Sequence, residues 1–395
     1  MDTRYFDYAA TTPVDARVLE AMMPFFSERY GNANSLYGLG RDAFRALEDA
    51  RERVAAGIGA ADPSEIIFTS GGTESDNAAL LGILTRVSPN GGAHLIVSGY
   101  EHHAVLHPAE WLAKHGYELT VLAPRTDGHI HPDDLRAAMR PTTKLVSIMH
   151  GNNEIGTVND IKVLAEIAHE GGALFHTDAA QTLGKVEFDA VDLGIDAASF
   201  SSHKIYGPKG FGALYLKKRT PFETQARGGG QESKRRSGTQ NTPGAAGFAR
   251  ALEIMIEEMP VEIPRLAGLR DQLIDGITSS LENTEPSAST GARLPNIAPL
   301  LIKGVEGEAM LLQLDNKGIA VSTGSACSSG SLEPSHVLLS IGCPPEIAHG
   351  SLRLSLGRFT TDEDVDYFLE VFPPIVERLR AMSPVYARMF GSSAS

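Results

Sequence analysis

Between residues 65 and 216 the chain repeats one pattern: a short apolar run, a turn, then a stretch of helical period. The runs Glu65–Thr69 (EIIFT), His94–Ser98 (HLIVS), Glu118–Leu122 (ELTVL), Leu145–Met149 (LVSIM) and Ala173–His176 (ALFH) read as strands. Helical candidates at Ala104–Lys114, Pro132–Met139 and Ile161–Glu170 lie between them. Strands alternating with helices of that size imply βαβ units and a mostly parallel sheet covered on both faces, an α/β fold. Ala197–Phe200 and Gly212–Leu216 add two strands. Thr242 before Pro243 starts a helix over Ala245–Met259, a cap followed by a first-turn proline.

The stretch Glu258-Met259-Pro260-Val261-Glu262-Ile263-Pro264 then reads as a hinge. Beyond it, long helices (Arg265–Leu281, Asp362–Met382) flank a few strands (Asn296–Ile302, Ser351–Leu356), the pattern of a smaller α+β domain. The expected division is a large domain over 15–260 and a small one built from 1–14 and 261–395. Asp7–Pro13 would cross to the small domain or to the mouth of a site.

A chain of 395 residues buries enough surface to need neither disulfides nor metals. Its two cysteines, Cys327 and Cys343, fit a reducing compartment. No apolar h-region follows Met1, and no apolar run approaches about eighteen residues, so a cytoplasmic protein off the membrane is expected. Lys+Arg total 35 against Asp+Glu 49, a formal charge of −14, which argues against a binder of nucleic-acid backbones.

Three constellations carry chemistry. Ser70-Gly71-Gly72-Thr73-Glu74-Ser75-Asp76-Asn77 follows a strand and opens a helix, where glycines and free N–H groups can cradle an anion. Its spacing matches neither the dinucleotide nor the nucleoside-triphosphate fingerprint. Alone, it reads slightly better as a Gly-rich turn capped by Thr73. In the second, Asp178 ends a strand and Lys204 lies 26 residues on, between Ser201-Ser202-His203 and Ile205. Pyridoxal phosphate needs such a pair: a lysine amine for its Schiff base and a carboxylate to keep its pyridine nitrogen protonated. A capping Asp178 and a solvated Lys204 are the plain alternative, weakened by the anion-type loop beside them. The third, Ser322–Ser331 (STGSACSSGS), sets Cys327 among small polar residues, where a structural cysteine would sit among apolar ones. His150, His176 and His203 lack regular spacing and carboxylate company, so no metal site is expected.

At this point the sequence resembles the class V, fold-type I pyridoxal-phosphate enzymes, and within them the cysteine desulfurases of the NifS/IscS group. The resemblance runs through Asp7–Pro13, Thr69–Asn77, Glu101-His102, Asn152–Gly156, His176–Gln181 and Ser199–Gly210. It continues through Gly228–Glu232, Arg236–Thr239, Gly324–Ser335 (GSACSSGSLEPS) and Arg353–Thr360 (RLSLGRFT). It implies that Lys204 carries the cofactor and moves the substrate Cα proton, and that Asp178 pairs with the pyridinium nitrogen. By the same resemblance His102 stacks on the ring as an acid/base group, and Asn153 and Gln181 bond its substituents. Gly72, Thr73, Ser201 and His203 would hold the phosphate, with Thr239 reaching in from a partner subunit. Arg353 would clamp the substrate carboxylate, assisted by Asn32, and Cys327 would take the substrate sulfur. The family usually shows G-N-P-x-S-x-H near the N-terminus; here Ala33 replaces the proline and Tyr37 the histidine.

The expected function is therefore cysteine desulfurase: L-cysteine in, L-alanine out, and a persulfide on Cys327. The sulfur would pass to an acceptor or an iron–sulfur scaffold protein, and the enzyme would be a homodimer. A selenocysteine lyase or aminotransferase of the same fold competes, although a transaminase has no use for the loop cysteine. A sulfur-pathway interaction protein without turnover is the non-enzyme alternative, and intact Lys204, Asp178, His102 and Cys327 speak against it.

Overall fold

The computed structural model describes residues 3–288, 291–324 and 333–390. Its strands are β1 (Arg4–Tyr5), β2 (Ile66–Thr69), β3 (His94–Ser98), β4 (Glu118–Leu122), β5 (Thr143–Ser147) and β6 (Leu174–Asp178). They continue as β7 (Ala197–Ser201), β8 (Gly212–Leu216), β9 (Thr284–Pro286), β10 (Ile297–Ile302), β11 (Ile319–Ala320) and β12 (Ser351–Ser355).

Seven strands form the main sheet in the order β2-β8-β7-β6-β5-β3-β4. The pairs β3–β4, β3–β5, β5–β6 and β6–β7 are parallel; only β8 runs against its neighbours β7 and β2. Successive side chains of a strand go to opposite faces, and both faces here are covered. Ile67, Leu95, Val97, Leu145 and Leu214 pack on one side with Leu80, Ile83 and Leu84 of the helix Gly72–Val87 and with Val105 and Leu112 of the helix His103–Lys114. Phe68, Ile96, Val146, Phe175 and Phe200 pack on the other with Val54, Leu164 and Phe248. Two-sided burial explains why the inner strands are continuous apolar runs. On the edge strand β4, Glu118 and Val121 are exposed.

A second, antiparallel sheet in the order β12-β10-β9 lies in the C-terminal third. The N-terminus joins it: β1 pairs with β11, and Asp7 bridges to Ser355. Phe6 is buried there with Leu273, Leu300, Leu354, Phe368 and Phe372.

The segment expected to be a hinge is not one. A single helix runs Thr242–Ser280, through both Pro260 and Pro264. Spaced by four, the two rings fall on one face, and they free the carbonyls of Ile256 and Pro260. Pro260, Pro264 and Ile256 are all exposed, so the freed carbonyls meet water and not a core. The helix therefore carries Phe248 into the first core and Leu273 into the second.

Candidate active site

Parallel strands that cross over through helices leave a crevice outside their carboxyl ends, and that is where polar residues converge. Ser70–Thr73 follow β2, His102 follows β3, Met149 and Asn153 follow β5, Asp178 ends β6, and Ser201, His203 and Lys204 lie at the end of β7. With Ala9–Thr11 from the N-terminus, Gly324 and Arg353, they line a cleft of about 580 Å³.

The Lys204 Nζ donates to the carbonyls of Ala9 (2.6 Å) and Ala10 (2.8 Å). Gln181 Nε2 donates to the same Ala9 carbonyl at 2.9 Å, so one turn of the N-terminal segment holds both side chains. Asp178 is buried, and its Oδ1 accepts from the Ala180 N–H at 2.9 Å. Burial pushes its carboxyl up, against the pull of His102 and Lys204. His102 caps the helix His103–Lys114, its Nδ1 accepting from the Ala104 N–H at 3.1 Å. That bond requires an unprotonated Nδ1, so the neutral ring carries its proton on Nε2. Burial keeps His102 below the usual histidine range. His203 is lowered to about 4 by burial and then by Lys204, and its Nδ1 meets the Thr11 hydroxyl at 3.0 Å.

Beside Ser201 the helix Gly72–Val87 starts with N–H groups that have no carbonyl one turn back. Gly71, at φ 150, turns the chain into it, and a Cβ on Gly212 would lie 2.7 Å from the Gly71 Cα. Only glycine permits that approach. Arg236 Nε grips Glu74 Oε1 at 2.8 Å and steadies the mouth of this cradle.

Arg353, on β12, donates to Asp7 Oδ1 (2.8 Å) and to the Asn153 carbonyl (3.1 Å), and its buried Nε has no protein partner. Gln181 Oε1 and Asp76 Oδ1 are likewise buried without a hydrogen bond. A desolvated carboxylate, an amine, an open helix N-terminus and unpaired polar atoms around one cleft fit a phosphorylated pyridine aldehyde.

Of the residues expected at the site, Gly72, Thr73, His102, Asn153, Asp178, Gln181, Ser201, His203, Lys204 and Arg353 line this cleft. Asn32 and Thr239 do not: both are exposed, outside the lining of their own chain's cleft. Asn34 Nδ2 reaches Gln240 Oε1 at 3.0 Å, so the two segments adjoin each other. Cys327 lies outside the described residues. Sequence reasoning missed Asp76, whose i+4 spacing from Gly72 places it on the same helix face, and Lys209. It also missed Lys185, buried behind the cleft, with Nζ on the carbonyls of Gln181 (3.1 Å) and Lys204 (3.3 Å). Burial, followed by the charge of Lys204, lowers that amine to about 7.

Residues 4–368 match the family described as Aminotransferase class-V, and the chain belongs to that pyridoxal-phosphate-dependent family. Within it the chain groups with the cysteine desulfurases. It is 49% identical over 380 residues to "Cysteine desulfurase IscS" of Dictyoglomus turgidum, covering 96% of each chain. It is 49% identical over 381 residues to the protein of that name from Methanosarcina thermophila, covering 96% of this chain and 94% of the other. A solved "NIFS-like protein" superposes with a TM-score of 0.89 at 37% identity, over 95% of this chain and 100% of that one.

Proposed function

We propose that this protein converts L-cysteine to L-alanine and keeps the sulfur as a persulfide on Cys327. The observation that supports it most is the convergence of Lys204, Asp178, His102 and Arg353 on one cleft beside an open helix N-terminus. Lys204 would anchor pyridoxal phosphate, Asp178 would face its ring nitrogen, and Gly72, Thr73, Ser201 and His203 would hold its phosphate. When bound, the cofactor draws electrons from the substrate Cα.

The chain's own residues do the rest. Arg353 presents a planar cationic fork to the substrate carboxylate, with Nε unsatisfied until substrate arrives. The Lys204 amine, once it leaves the two N-terminal carbonyls, is the base that takes and returns the Cα proton. His102 carries a proton on Nε2 toward the cleft. The Cys327 thiolate attacks the substrate sulfur; the Cβ–S bond breaks toward carbon, which takes up a proton. Cysteine and one enzyme thiol thus become alanine and one enzyme persulfide, with no outside oxidant.

The asymmetry of the site residues supports a homodimer. Asn32 and Thr239 stand off their own cleft, in segments joined by the Asn34–Gln240 bond, the first of which exposes Leu36 (90%) and Tyr37 (61%), and they would serve the partner's. We place the large domain at 15–260 and the small one at 1–14 with 261–395. The persulfide would pass in the cytosol to an acceptor or iron–sulfur scaffold protein; among the described residues no helix is long and apolar enough to cross a membrane.

The test is stoichiometric: alanine from L-cysteine, with a one-sulfur mass gain on the peptide bearing Cys327. Cys327→Ser should keep the cofactor absorbance and its change on adding L-cysteine, yet release no sustained alanine. Turnover at the parent rate by that variant would reject the persulfide. Activity of the isolated monomer equal to that of the parent would reject the shared site.

A further inference from the structure

Glu154 is buried, at 9% exposure, in the turn after β5. Asn152 Oδ1 accepts from the Glu154 N–H (2.8 Å) and the Ile155 N–H (3.0 Å) and so fixes this turn. Asn153, between them, lines the cleft, and its carbonyl accepts from Arg353. The Glu154 carboxylate points away from solvent toward two segments far along the chain. Its Oε2 accepts from Ser335 Oγ at 2.5 Å, and Ser335 in turn accepts from the N–H groups of Val337 and Leu338 as cap of the helix His336–Ser340.

The same Oε2 lies close to Gly324. A Cβ built on Gly324 would lie 2.9 Å from that oxygen, and Gly324 has φ +81. Upstream, Arg353 N–H donates to the Ser322 carbonyl (2.7 Å) and Ser351 Oγ to the Thr323 carbonyl (2.7 Å), so this end is sewn to β12. One carboxylate oxygen therefore accepts from the point where the chain returns at Ser335 and lies close to the point where it departs at Gly324. The segment between those ends contains Cys327.

We propose that Glu154 is a positioning residue for the sulfur-accepting cysteine: it bonds the return of the Cys327 segment at Ser335, packs close to its departure at Gly324, and so sets both relative to the turn that presents Asn153 to the cleft. The proposal rests on reading Cys327 as the nucleophile. Glu154 touches neither substrate nor cofactor in this scheme; it acts through Gly324 and Ser335. Burial lifts its carboxyl to about 7, countered by the Ser335 hydroxyl and the Arg353 charge, and in either protonation state an oxygen remains to accept from Ser335.

The experiment compares Glu154→Ala, Glu154→Gln and Ser335→Ala in the cofactor-loaded enzyme. The readout independent of turnover is the rate of iodoacetamide alkylation at Cys327, with Cys343 of the same molecule as reference. In Glu154→Ala, Cys327 should alkylate at least about threefold faster while Cys343 does not change. The kcat should fall on the order of tenfold to a hundredfold, as expected when a reacting group is misplaced by an ångström or so. KM, cofactor absorbance and its response to L-cysteine should stay at parent values. Glu154→Gln, which keeps an acceptor oxygen, should recover most of both rates, and Ser335→Ala should resemble Glu154→Ala. If Glu154→Ala fails to fold, Ser335→Ala and Glu154→Gln carry the same comparison. Parent-like alkylation and kcat in folded Glu154→Ala or Ser335→Ala would overturn the proposal, as would loss of cofactor absorbance in step with kcat. If the parent forms no persulfide at Cys327, the functional reading fails instead, while the alkylation rates still report whether Glu154 holds the segment.

Discussion

The small sheet and the cleft handle buried charge in opposite ways. Around the small sheet, the buried Arg270 and Arg380 are satisfied largely by nearby backbone carbonyls. Arg380 donates to the carbonyls of Lys303, Glu282 and Asn283, and Arg270 to that of Leu294. At the cleft, where the carboxyl end of the large sheet meets Arg353 of β12, Asp76 Oδ1, Gln181 Oε1 and Arg353 Nε are buried without a hydrogen bond among the described residues, with His176 Nε2 lying 3.7 Å from Asp76 Oδ1. Burial, reinforced by the neighbouring Asp178 and Glu101 charges, pushes the Asp76 carboxyl well above its ordinary range. An unpaired buried polar atom costs about 1–3 kcal/mol, so folding alone would not favour this cluster. The first region is built for stability; the second is built for a ligand that completes it.

Substitutions in the two regions should therefore separate activity from stability. The largest effect is expected for Lys204→Ala. Alanine formation should fall by about a thousandfold or more, with loss of the visible absorbance of the lysine-bound cofactor. The melting temperature of the cofactor-free protein should be unchanged. Retained absorbance would assign the cofactor to another lysine.

Phe368→Ala is the opposite case. Phe368 is fully buried, 5.6 Å from the Phe6 ring and 5.0 Å from that of Phe372. Its truncation should cost about 3–5 kcal/mol by denaturant titration, with kcat per folded molecule preserved. A comparable loss of kcat in the folded fraction would show that the two regions are not separable.

Arg353→Lys sharpens the boundary, since Arg353 is satisfied on two nitrogens and open on the third. Losing the planar fork should raise the KM for L-cysteine about tenfold to a hundredfold, with a smaller change in kcat. An unchanged KM would place the carboxylate elsewhere.

The smallest effect concerns Glu101, whose Oε1 accepts from the Met149 N–H at 2.7 Å and from the Ser98 hydroxyl, and whose Oε2 has no partner. Burial raises its carboxyl from 4.5 to about 8. The folded state thus holds this proton more tightly than the unfolded chain does. The associated stability is present below about pH 4.5 and is lost as pH rises through about 8. Glu101→Gln cannot titrate, so its melting temperature should exceed the parent's by about 2–4 °C at pH 9 and lose that advantage by pH 5. Parallel pH curves would refute the shift.

Much of this was legible in the sequence because the signals are local. The strands over His94–Ser98, Glu118–Leu122 and Gly212–Leu216 and the helix Ile161–Glu170 have the expected bounds. Asp178 and Lys204 close adjacent strands, which brings them to one end of the sheet as their sequence context implied. The failures are as informative. Two prolines within five residues read as a hinge, since a local reading cannot know that the carbonyls they free face water. Lys185, Asp76 and Glu154 carry no distinguishing pattern; each became notable only when burial removed its solvent.

The sequence by itself determined the alternation of strands and helices and the glycines of the turn after β2, and it singled out Lys204 as the candidate amine. These follow from backbone geometry and side-chain chemistry within a few residues. Only the tertiary structure decided which carbonyls hold Lys204, which carboxylate accepts from Ser335 close to Gly324, and that Asn32 and Thr239 stand off their own cleft. Those are contacts between positions far apart in the chain. Their energies depend on desolvation, and desolvation is a property of the assembled fold.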